Sequence, residues 1–160
     1  MTAKAAFTDE EWERVRRAPM VAGMAITIAD PGGPIEISKE GMAMLRSATV
    51  PPSQEELLAA VALDIAAMTQ QKQNPLKGFK PEDPSTAGQA VLDELAAVDV
   101  IVAAKASPEE TAAFRTWLVT TAQAAADAAK EGGFMGFGAV QVSQGEADML
   151  AKIRAAVGLG

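Results

Sequence analysis

The side chains that most often do chemistry at neutral pH are missing from this chain. It has 160 residues with no histidine, no cysteine and no tyrosine. That excludes imidazole bases, thiolate nucleophiles, zinc fingers and disulfides on ligand chemistry alone. Acid–base or nucleophilic work is left to Ser, Thr, Lys, Asp and Glu. Adjacent acids do occur, as Asp93-Glu94 and Asp9-Glu10-Glu11, but neighbours in a helix point apart, so these read as solvated faces and helix starts. No Ser-x-x-Lys pair stands in a suitable setting. The expectation is a protein that is not an enzyme.

Two stretches invite binding instead. Gly132-Gly133-Phe134-Met135-Gly136-Phe137-Gly138 is glycine-rich like a phosphate loop. It follows a predicted helix, however, and leads to an extended piece with no basic residue, which is the wrong context. Phe134, Met135 and Phe137 therefore either pack on the core or form an adhesive tip for a protein partner or a second copy in a homodimer. The connector 72–84 holds three prolines and a glycine, and a loop of that length is commonly functional or disordered. In it Leu76 and Phe79, flanked by Lys72, Lys77 and Lys80, either dock on an acidic partner or pin the loop to its own domain.

The elements that would carry these stretches are helices. Thr8-Asp9-Glu10-Glu11, Ser53-Gln54-Glu55-Glu56, Ser107-Pro108-Glu109-Glu110 and Ser143-Gln144-Gly145-Glu146 each have the form of a capping box. Ser38 and Ser85 mark two weaker starts. Apolar stripes at helical spacing follow: Leu57, Val61, Ile65 and Met68; Val91, Leu95, Val98 and Val102; Met149, Leu150, Ile153 and Val157. Most of the eight methionines fall on such core faces and serve as filler. Pro19 is expected to kink or restart the first helix. The fold class is all-α, about six helices in a single domain over 1–160.

The chain also repeats itself. Ile35-Glu36-Ile37-Ser38, then Met44-Leu45, returns as Val140-Gln141-Val142-Ser143, then Met149-Leu150. Each copy comes after an apolar segment and a glycine turn. The reading is two pseudo-symmetric halves, about 8–50 and 107–157. The alternating triplets 35–37 and 140–142 have the pattern of half-buried extended segments, either paired as a two-stranded ribbon or lying as separate anchored loops.

With Ala25 to Asp30 running into Pro31-Gly32-Gly33 and Ser38-Lys39-Glu40, and Ala124 to Glu131 running into Gly132-Gly133 and Ser143-Gln144-Gly145-Glu146, the chain resembles the TerB-like (tellurite resistance) helical domains. The resemblance implies divalent-cation binding, calcium or magnesium, by carboxylates of the two turns. The matching positions are Asp30 and Glu131, with Glu40 and Glu146 after them. Read without the resemblance, Glu40 and Glu146 stabilise helix N-termini and Asp30 closes a turn.

Charge and hydropathy narrow the partners. A net charge of −7 disfavours nucleic acid, which binds through clustered Lys and Arg. The longest uncharged stretches, 18–29 and 132–145, are too short for a membrane span, and the start lacks an apolar signal core, so a cytoplasmic location is expected. The leading functional expectation is a non-catalytic interaction or stress-associated module. A cation-binding protein and a carrier with a Met-lined pocket stand beside it.

Overall fold

The Thr8 capping box forms as its spacing dictates. Thr8 Oγ1 accepts from the Glu11 N–H at 3.1 Å, and the Glu11 carboxylate accepts from the Thr8 N–H at 2.9 Å. The staple beside it closes too, with the Phe7 and Trp12 rings 5.6 Å apart. From there the computed structural model, which describes residues 4–130 and 143–159, runs through six helices: α1 (Asp9–Ala29), α2 (Pro34–Thr49), α3 (Glu56–Gln70), α4 (Ala87–Lys105), α5 (Pro108–Lys130) and α6 (Gln144–Ala156). The chain is all-α, and no strand occurs among the described residues.

Pro19 does not interrupt α1, which passes through it unbroken. Losing one backbone hydrogen bond costs a helix about 3 kcal/mol. Against that, Val15, Ala18, Val21, Ala22, Ala25 and Ile26 all lose their contact with water, which outweighs the defect. α1 and α5 each touch every other helix and form the centre of the molecule. Phe114, Trp117 and Leu118 of α5 are fully buried, and the Trp117 indole N–H donates to the Ser47 carbonyl at 2.8 Å. Ion pairs tie the edges. Arg14 donates to Glu94 from Nε and Nη2, each at 3.0 Å, and Arg115 holds Asp99 in the same forked manner.

Three local expectations are corrected. Residues 35–37 are helical, because α2 begins at Pro34 with Gly33 as its N-cap; proline at the first helical position arrives with its φ already set. The ribbon of 35–37 with 140–142 therefore does not form from its first segment, and 140–142 lie outside the described residues. Ser38 sits within α2 and caps nothing, whereas Ser143 does cap α6, accepting from the Glu146 N–H at 3.2 Å. The two copies of the repeat thus enter their helices at different points. At the second capping-box site, α3 starts only at Glu56, after Pro51-Pro52, and Ser53 Oγ is buried without a partner among the described residues.

The connector is ordered. α3 ends with Lys72 in the left-handed region at φ 58°, and the Gln73 N–H returns to the Met68 carbonyl at 2.8 Å, the Schellman arrangement. Leu76 and Phe79 are half-buried against the core, and the Arg17 guanidinium lies 5.9 Å from the Phe79 ring centre. Of the two readings of these residues, pinning the loop to its own domain is the one their packing matches. Among the described residues, no helix is long and apolar enough to cross a membrane.

Candidate carboxylate site

The end of α1, the start of α2 and the start of α6 meet at one place. Only three residues, Pro31-Gly32-Gly33, separate Asp30, the C-cap of α1, from Pro34. The turn is tight: a Cβ on Gly32 would lie 2.8 Å from Glu36 Cβ, and one on Gly33 would lie 2.9 Å from Glu36 Oε2. Glu36 therefore folds back over the N-terminus of α2, where a carboxylate meets free N–H groups and the positive end of the helix dipole. α6 comes in from the other side. A Cβ on Gly145 would lie 3.1 Å from the Ala29 carbonyl oxygen, so the first turn of α6 abuts the last turn of α1.

This convergence brings three of the sequence-predicted residues together. Asp30 is exposed, while Glu40 and Glu146 are buried, at 1% and 5% exposure. Glu40 accepts a short hydrogen bond from the Thr27 hydroxyl, one α1 turn before Asp30. Burial pushes the Glu40 carboxyl above the ordinary carboxylate value; the Thr27 bond opposes this, and the charges of Asp30 and Glu36 add to it. Burial likewise raises Glu146, against a hydrogen bond from Ser143, with further upward pressure from Asp30 and Glu40. Glu146 Oε1 accepts from Ser143 Oγ at 3.2 Å, but Oε2 is buried with no hydrogen-bond partner among the described residues. A buried charge-bearing oxygen left unpaired is costly.

Glu40 does not stand at a helix start, contrary to the alignment of the two copies; it lies in the second turn of α2. Glu131, Phe134, Met135 and Phe137 lie outside the described residues. Sequence reasoning missed Thr27 and Glu36. Pro34 was the available signal, since a helix begun there puts Glu36 and Glu40 four apart on one face. As they stand, no three acidic side chains among the described residues are arranged to hold a metal ion. All-oxygen donors of this kind suit a hard cation such as calcium or magnesium. Beside the site Thr27 also borders an apolar groove of about 400 Å³ with Met24, Ile28, Pro31, Pro81 and Pro84. Among the described residues one methionine, Met24, lines it, while Met20, Met44, Met68 and Met149 are in the core.

No family model, curated protein or solved structure matches this chain.

Proposed function

We propose that this chain is a non-catalytic helical module that binds a divalent cation at the junction of α1, α2 and α6, through Glu40, Glu146 and Asp30. The observation that supports this most is the buried, unpartnered Glu146 Oε2, set beside two further carboxylates that repel it. A cation would relieve the repulsion and supply the missing partner. It would also have to draw the carboxylates closer, with water completing the six to eight oxygens calcium takes. The TerB-like resemblance fits this reading.

The test is thermal unfolding of metal-stripped protein, with and without millimolar calcium, magnesium or manganese. Ligand at a hundred times its Kd adds about 2.7 kcal/mol, or roughly 5–10 °C for a domain of this size. The rise is expected in the wild type and not in Glu146→Gln or Glu40→Gln. A wild-type curve indifferent to all three ions removes the reading.

A second reading, a protein-interaction module, draws on α2. Ile35 and Met42 are 68% and 62% exposed, and with Lys39 and Arg46 they form one stripe at helical spacing. An apolar and basic stripe on an acidic protein suits an acidic surface, including that of another copy. Light scattering at high concentration is expected to give a dimer that Met42→Glu dissociates; a strict monomer counts against self-association.

A further inference from the structure

The second turn of α1, the end of α3 and the connector line an open cavity of about 260 Å³. It is lined by Glu13, Arg16, Met68, Gln73, Lys77 and Gly78. Three of the six arginines are paired: Arg14 and Arg17 with Glu94, Arg115 with Asp99. Arg16 has no hydrogen-bond or ion-pair partner among the described residues; its charge reaches the Asp64 carboxyl, and its Nε–H, like that of Arg17, is buried without a partner. Lys77, on the facing connector, has no ion-pair partner either. Two cations with no ion-pair partner among the described residues therefore line one cavity on a chain whose net charge is −7.

The local backbone holds that arrangement in place. The left-handed Lys72 turns the chain so that Gln73 bonds back to α3. Asn74 Oδ1 then accepts from the Leu76 N–H at 2.9 Å, and the Lys77 N–H donates to the Asn74 carbonyl at 3.0 Å. Gly78 lies so close over Arg17 that a Cβ would come within 2.6 Å of Arg17 Nη1, and its φ of +91° suits glycine. The connector is thereby fixed above α1, and Lys77 with it.

We propose that this cavity is a binding site for a phosphate-class oxyanion, free phosphate or a phosphomonoester. A guanidinium, an ammonium and the Gln73 amide come from different elements and so reach different oxygens of a tetrahedral anion. Glu13 on the same wall selects among such anions. Its carboxylate accepts a hydrogen bond from a protonated phosphate oxygen and repels sulfate, which carries no proton at neutral pH. Met68 gives the group to which a phosphate is esterified an apolar surface.

The experiment is a titration of the full ¹⁵N-labelled chain with inorganic phosphate, sulfate, acetate and chloride at constant ionic strength, following the amides of 73–78 and the arginine Nε–H signals by NMR. Phosphate is expected to give saturable shifts with a Kd on the order of a millimolar, as a few charge-assisted bonds in an open cavity allow. Sulfate and acetate should bind at least tenfold more weakly. Arg16→Gln and Lys77→Gln each should weaken phosphate tenfold or more, Glu13→Gln should admit sulfate, and Lys152→Gln on exposed α6 should change nothing. Lys77 is exposed, so its variant keeps the test decisive if Arg16→Gln fails to fold. Wild-type spectra without saturable phosphate shifts, or shifts that survive Lys77→Gln undiminished, overturn the proposal. A phosphomonoester such as glycerol phosphate binding more tightly than free phosphate identifies the esterified source; the reverse order identifies the free ion.

Discussion

Glu40 and Glu146 are carboxyl groups taken out of water with no ion-pair partner among the described residues, and this has a measurable consequence. Burial raises both above the ordinary value of 4.5, so the folded state holds these protons more tightly than the unfolded chain. The stability they contribute is complete below that ordinary value and is lost as pH rises through the elevated folded values. Urea unfolding followed from pH 5 to 8 in metal-free buffer is therefore expected to show stability falling with pH. Glu40→Gln should flatten that fall and be more stable than the wild type at pH 7. An identical pH slope in the Glu40→Gln, Glu146→Gln double variant would refute the assignment. In more acid solution the slope reverses as Glu11, held low chiefly by its Lys105 hydrogen bond, takes up its proton.

Elements meet here through glycine, and two glycines make opposite predictions. α1 approaches α2 closely at Gly23, where a Cβ would come within 2.7 Å of Met44 Cβ. Gly23→Ala should cost about 1–3 kcal/mol through overpacking, despite the better helix propensity of alanine. Gly41, in α2, would meet nothing within 4 Å, and Gly41→Ala should gain roughly 0.5–1 kcal/mol; chemical denaturation of both variants checks the pair. At the end of α3, Lys72 occupies a left-handed position that costs a side chain about 1 kcal/mol or more, so Lys72→Gly should raise the melting temperature by a few degrees. Caps and stripes made the helices legible in the sequence: Thr8, Ser107 and Ser143 all accept from the N–H three residues on, and Leu57, Val61, Ile65, Val91, Leu95, Val98 and Val102 are fully buried. The start of α2 was not legible, since Ile35-Glu36-Ile37 alternates like a strand while Pro34 alone carries the helical signal. Three acids of the site stand among the positions the TerB-like resemblance implies, but Thr27 reaches Glu40 through the packing of α1 on α2, which no spacing in the sequence encodes.

At the scale of the whole molecule, α1 and α5 each touch all the other helices, so neither can open without disrupting the rest. Native-state hydrogen exchange should find the amides around Val21–Ile26 and Trp117–Ala126 exchanging only through global unfolding. The exposed first turns of α2 should exchange through much smaller openings. Fast exchange in the middle of α1 would show that Pro19 divides it into independent halves.

The same central pairing constrains how the protein is made. α1 leaves the ribosome well before α5, which covers much of its apolar surface. At typical synthesis rates of about 5–20 residues per second, the Ala18–Ile26 segment waits several seconds for its principal partner. During that interval the nascent chain presents a run of apolar side chains that the finished fold largely hides. Chaperone occupancy should therefore peak before residue 130 emerges, and a circular permutant that places α5 beside α1 in sequence should shorten that exposure.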